Sequence, residues 1–159
     1  MKRIGVTGHR SIPAEVLGHV QDRLRAVLAG HRGPLEALSS LAEGADQIFA
    51  AIALECGADL TVVIPSEDYE DAFEDAESLA GYHRLKQRAD REVRMDFAHS
   101  TDEAYYAAGT YIADCCDRLV AVWDGLPARG RGGTGDIVAY ARGLGKPVTV
   151  IWRAGAVRD

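Results

Sequence analysis

Asp124-Gly125-Leu126-Pro127-Ala128-Arg129-Gly130-Arg131-Gly132-Gly133-Thr134-Gly135-Asp136 leaves an apolar strand pattern and opens a helical one. Strand, glycine-rich loop and helix in that order are the repeating unit of an α/β sheet. Gly130, Gly132, Gly133 and Gly135 permit backbone conformations closed to residues with a Cβ, so consecutive N–H groups can curl toward an anion at the positive end of the following helix. Arg129 and Arg131 add charge and forked donors. Arg131, Gly132, Gly133, Thr134 and Gly135 are therefore candidate ligand-binding residues. A surface loop whose glycines only make turns would have the same composition.

Outward from this loop the chain alternates. Residues 118–123 form the strand before it, residues 136–143 the helix after it, and Lys146-Pro147 leads into a last strand, 148–152. Upstream, Ser100-Thr101-Asp102-Glu103 fits a capping box opening a helix to about residue 116. Tyr105, Tyr106 and Tyr111 lie along that helix and read first as core or interface aromatics. Residues 67–96 are polar and read as helical, acidic at first and basic later, with Gly81 dividing them. Residues 59–64 are a continuous apolar run, the mark of a strand covered on both faces. A strand over 35–41 leads through Ala42-Glu43-Gly44-Ala45-Asp46 into a helix ending near Glu55. A first strand, 3–7, ends in Gly8-His9-Arg10 and is followed by an amphipathic helix over 14–29.

This alternation predicts an α/β fold of three layers, a five-stranded, mostly parallel Rossmann-like sheet of order 3-2-1-4-5 with helices on both faces. It also predicts a single domain spanning residues 1–159. That order reverses between the first and fourth strands, so residues 8–10 and 124–135 flank the crevice in which such sheets bind ligands, and residues 40–46 and 65–69 open on the same edge.

The composition, 159 residues with 47% hydrophobic and 26% charged, is ordinary for a globular chain. A net charge of −6 argues against broad electrostatic binding to nucleic acid and favours a small ligand. No segment approaches the length of a membrane span and no signal-peptide pattern is present, so a cytoplasmic protein without membrane attachment is expected. Cys56, Cys115 and Cys116 have no metal-ligand spacing and are expected to be reduced, mostly buried thiols. No metal and no bound cofactor is expected.

Candidate chemistry gathers at the loops. Thr7-Gly8-His9-Arg10 lacks the full Gly-x-Gly-x-x-Gly fingerprint, so a standard NAD site is not supported, but Gly8 supplies a turn and Arg10 a clamp for phosphate. His9 either donates to such a phosphate or caps the turn. Gly44 and Asp46 are placed to cap their helix, and Glu43 or Asp46 to accept from ribose hydroxyls. Asp124 either orients its loop or touches ligand, and Asp136 sits where a helix dipole stabilises a carboxylate. No Ser-His-Asp or Cys-His arrangement is readable from spacing.

Together, Gly8-His9-Arg10, Ser39-Ser40-Leu41-Ala42-Glu43-Gly44-Ala45-Asp46 and Gly132-Gly133-Thr134-Gly135 resemble the loops of one Rossmann-like, SLOG-type superfamily. It contains the DNA-processing protein A family, the LONELY GUY phosphoribohydrolases and molybdenum-cofactor-carrier-like proteins. The resemblance implies a nucleotide or nucleotide-derivative ligand, phosphate on the glycine loop, and a homo-oligomer. The hydrolase branch carries a glutamate on the helix after its glycine loop. Aligning on the double glycine puts Ala139 there, and aligning on Gly-Thr puts Ile137 there. The same region is similar to nucleoside deoxyribosyltransferases, with the same mismatch. The expected function is thus binding or sensing of a nucleotide. One alternative is an N-glycosidic hydrolase or transferase using Asp136 or Asp124 as its catalytic carboxylate. A second is a single-stranded-DNA-binding accessory protein.

Overall fold

In the computed structural model, which describes residues 1–128, 132–153 and 156, strands and helices alternate almost throughout. The order is β1 (Lys2–Gly8), α1 (Ala14–Ala29), β2 (Leu35–Ser39), α2 (Ala45–Glu55), β3 (Asp59–Ile64), a 3-10 turn (Tyr69–Ala72), α3 (Ala76–Gln87), β4 (Arg91–Arg94), α4 (Asp102–Cys115), β5 (Arg118–Val122), α5 (Thr134–Gly143) and β6 (Val148–Ile151). All strand pairs are parallel, in the order β4-β3-β2-β1-β5-β6. The five expected strands keep their expected order. The sheet has six strands rather than five because β4 adds to the free edge of β3.

The layers follow from burial. β3 is apolar on both faces because both are covered, with Leu60, Val62 and Val63 fully buried. Val20, Leu24 and Leu28 of α1, Phe49 and Ile52 of α2, and Tyr82 of α3 pack on one face. Ala108 and Ile112 of α4 and Ile137 and Ala141 of α5 pack on the other.

Residues 67–96 depart from the helical reading. Gly81 does not divide them; it sits inside α3 with its Cα face against Gln47, whose side-chain oxygen a Cβ at that position would strike. Gln47 Nε2 donates to Ser78 O at 2.9 Å and Leu41 O at 3.0 Å, so the close approach joins α3 to the loop before α2. β4 is held by its backbone pairing with β3, to which its side chains add charge rather than apolar area. Glu36 on β2 is 5% exposed and would be costly there unpartnered. It accepts from Arg91 Nη1 at 3.0 Å and Thr61 Oγ1 at 3.0 Å, with Arg3 Nε at 3.5 Å. These partners come from β4, β3 and β1, so one buried carboxylate draws the edge strand onto the sheet.

The cap of α4 lies one residue beyond the expected Ser100. Thr101 accepts from the Ala104 N–H at 3.2 Å, while Ser100 joins Ser66 and Asp68 in a cluster between two loops. Thr101→Ala is expected to lower stability by about 1 kcal/mol, read as an earlier urea midpoint at unchanged slope. The thiols are unbridged, and only Cys116 is buried; Cys115 is half-buried and Cys56 exposed, because Cys56 ends α2 on its solvent side. Among the described residues no helix is long and apolar enough to cross a membrane.

Candidate functional site

At the carboxyl edge of the sheet, where the order reverses between β1 and β5, lies a cleft of about 520 Å³. Its walls come from the loops after β1, β2, β3 and β5 and from the exposed start of α4. Parallel strands put all these loops, and the positive ends of α2, α4 and α5, on one side of the molecule.

The β1 loop is fastened before it reaches the cleft. Gly8 lacks a Cβ because Ala45 and, at 3.0 Å, Val122 occupy its place. His9 donates its N–H to Val122 O and accepts from the Ala45 N–H through its carbonyl, both at 3.1 Å. Its Nε2 accepts from the Asp124 N–H at 3.0 Å, with the Asp124 carboxylate at 3.3 Å, and its ring stands edge-on to Trp152 at 5.3 Å. His9 therefore ties the end of β1 to the end of β5 and shows only 7% of its surface, at the cleft floor. Arg10 is exposed, its guanidinium 5.1 Å from the centre of the Tyr105 ring. Partial burial works against its charge, but a hydrogen bond to Tyr105 and the nearby Tyr69 and Asp46 outweigh that and hold its pKa above the usual value.

In the β2 loop, Ser39 Oγ donates to Asp46 O at 3.1 Å and accepts from the Leu41 N–H at 3.0 Å. Between them the chain turns through Leu41, left-handed at φ 57° yet fully buried. Gly44 then caps α2 at φ 82°, where a Cβ would overlap the carbonyl oxygens of Arg10 and, at 2.6 Å, His9. Asp46 does not cap α2. Its Oδ2 accepts from the Ala42 N–H, ahead of the helix, at 3.4 Å, and the residue is 9% exposed on the cleft wall. Burial pushes its pKa up to about 7, against the opposing effects of the Ala42 N–H and Arg10. Glu43 lies off the main cleft, beside Arg10, Tyr69 and Phe73 in a shallow side pocket. Its pKa is raised by burial and by Asp75 and Glu74.

Of the glycine loop, Gly132, Gly133 and Thr134 line the cleft and Gly135 does not. Arg131, with Arg129 and Gly130, lies outside the described residues. Gly132 stands at φ 89° with its Cα against the Tyr106 N–H and Asp102 C=O of α4. Asp136 turns back to the loop, where its Oδ2 accepts from the Gly132 N–H at 3.1 Å. Asp124 behaves likewise: its Oδ1 accepts from the Leu126 N–H at 3.0 Å. Neither carboxylate is among the cleft-lining groups, which instead include Asp46 and Asp102.

The α4 contribution was not read as a ligand wall. Asp102, Tyr105, Ala108, Gly109 and Ile112 all line the cleft. Their spacing of three and four residues is the signal in the sequence, since it places them on one helix face. Tyr105, expected as a core or interface aromatic, packs half-buried against the apolar cluster and carries Arg10 over its ring on the cleft side. No group of three or more His, Cys, Asp and Glu side chains among the described residues is placed to hold a metal ion.

The fold is shared with solved structures. DNA processing protein A from Streptococcus pneumoniae superposes with a TM-score of 0.72 at 18% identity, over 98% of this chain and 52% of that one. The molybdenum cofactor carrier protein from Chlamydomonas reinhardtii superposes with a TM-score of 0.58 at 21% identity, over 94% of this chain and 75% of that one. The chain thus spans about half the length of the first and three quarters of the second. The likeness read from the three loops is met in the fold of these proteins. No protein-family model and no curated protein matches the sequence.

Proposed function

We propose that the cleft binds a nucleotide or nucleotide derivative and that the protein acts as a binding or sensing module. The observation that carries this reading is the position of Arg10 and of Gly132-Gly133-Thr134 on the walls of one cleft, at the reversal between β1 and β5. Phosphate sits best at the N-terminus of α5, within reach of loop N–H groups. Tyr105 and Tyr69 offer rings for the base or sugar. Both fold neighbours carry names that point to nucleic acid or to a small organic cofactor, which agrees with a ligand of this kind without specifying it.

A thermal-shift screen with AMP, ADP-ribose, NAD and cyclic nucleotides tests the reading, since a ligand of the native state raises the midpoint by mass action. Arg10→Ala is expected to weaken the best nucleotide at least tenfold, by loss of about 1.5–3 kcal/mol of charge-assisted hydrogen bonding. Unchanged affinity in that variant would remove the phosphate clamp from the reading. Hits are followed by chromatography for base release. Asp136 and Asp124 hold loop N–H groups, which speaks against either as a catalytic carboxylate. Single-stranded DNA is assayed beside the nucleotides, because overall charge alone does not decide that partner and one fold neighbour is named for DNA processing.

A further inference from the structure

Asp46 is at odds with an anionic ligand and, unlike the exposed Asp102 that also lines the cleft, it is buried there. The residue is nine-tenths buried in the wall. One backbone N–H, that of Ala42, reaches it, at 3.4 Å, long for a bond to an ionised carboxylate. The groups that face it are few. Among the described residues Arg10, from the loop after β1, is the cation that acts on it, and Arg10 is engaged over Tyr105 of α4; Tyr69 approaches from the 3-10 turn. His9 touches the start of α2 through its carbonyl, with its ring turned to Asp124 and Trp152. Glu43 on the same loop and Asp102 across the cleft add only negative charge. An ionised Asp46 would therefore repel a phosphate that the surrounding loops are arranged to attract.

We propose that Asp46 meets the ligand as a neutral carboxylic acid that donates toward the ligand's anionic group, so that filling the cleft with an anion takes up one proton from solvent. This rests on the reading that the cleft holds an anionic nucleotide. No covalent bond changes; the proton moves from buffer to Asp46 and stays there while the ligand is bound. It also fixes a sign, because an ionised Asp46 accepting from a ribose hydroxyl would make binding release a proton instead. The resting carboxyl titrates near 7, so the coupling would fall in the neutral range.

Calorimetry of the whole chain tests this with two probes, ADP-ribose and sulfate, whose charges stay constant through the neutral range. Each is titrated in buffers of different protonation heat. The expected result is net uptake approaching one proton at about pH 8, and an affinity that falls about tenfold per pH unit above neutrality. Asp46→Asn should bind both probes with no proton exchange and no pH dependence. Uptake that persists in Asp46→Asn would assign the proton to another group, such as His9, and overturn the inference. So would binding to the natural chain without uptake, or with release. Should Asp46→Asn not fold, the carboxyl carbon shift of Asp46 in the natural chain decides: it must move to the neutral-acid value on adding ADP-ribose. Failure of both probes to bind between about pH 6 and pH 8.5 would sink the coupling, while the wider nucleotide screen judges the cleft reading separately.

Discussion

Asp46→Asn is expected to stabilise the fold against unfolding by about 4 kcal/mol at pH 8.5 and to leave its stability nearly unchanged at pH 4. The sign follows from the direction of the shift. Burial raises the folded-state pKa of Asp46 from 3.8 to about 7, so between those values the folded chain binds more protons than the unfolded one. Stability therefore falls as pH rises through that window and levels off above it. A shift of about 3 units at 1.36 kcal/mol each gives the plateau. Asparagine keeps the shape and the acceptor for the Ala42 N–H without the charge, so it removes the cost only where the aspartate is ionised. Urea unfolding at a series of pH values reads the effect directly. An equal gain at both ends of the range would mean that packing, not ionisation, separates the two side chains. A residue that costs stability at neutral pH on the wall of a cleft has the profile of one retained for function.

Gly44→Ala is expected to have an effect of similar size and opposite sign, a loss of about 3 kcal/mol or more. Two independent reasons add. At φ 82° an L side chain is strained. The new Cβ would also overlap the Arg10 and His9 carbonyl oxygens, which are backbone and cannot swing aside. His9 O is already committed to the Ala45 N–H at 3.1 Å, so relief would have to break the link between β1 and α2. Thermal unfolding of Gly44→Ala beside Gly57→Ala separates the two reasons. Gly57 has the same φ, 82°, but open space where its Cβ would go, so it carries the strain without the overlap. Equal losses in the two variants would show that the carbonyl contact contributes nothing.

How much was legible depended on what held each element. The 14–29 helix and the 59–64 strand could be read to their ends, because burial of periodic or continuous apolar residues determines both. β4 could not. Arg91-Glu92-Val93-Arg94 has three charges in four residues, and inside a charged region it reads equally well as a solvated helix. Its strand state comes from pairing with β3, supported by Glu36, 55 residues away, which accepts from the Arg91 guanidinium. Gly81 misled for a related reason: a glycine in a polar helix looks like a break until the packing of Gln47 against it is known. Within the site, the sequence located the loops better than the directions of their side chains. Gly8, His9, Arg10, Asp46 and Gly132-Gly133-Thr134 do meet at one cleft. Glu43, Asp124 and Asp136 do not line it: a side pocket holds the first and loop N–H groups the other two. The sequence also marked Asp46 for capping or sugar contact but could not report its burial, which comes from the contact of α2 with the Ser39 hydroxyl and the turn at Leu41.

That turn has a consequence for how variants far from the ligand should behave. Leu41 is bent backward while its side chain is locked into the apolar layer beneath, and Ser40 and Ala42 on either side of it line the cleft. The layer and the binding loop are thus one mechanical part. Trimming another buried member of that layer, such as Phe49, is expected to loosen the packing around Leu41 and to shift Ser40 and Ala42 with it. If the cleft binds the proposed nucleotide, changes in the core beneath α2 should then appear as altered selectivity although every cleft-lining residue is intact.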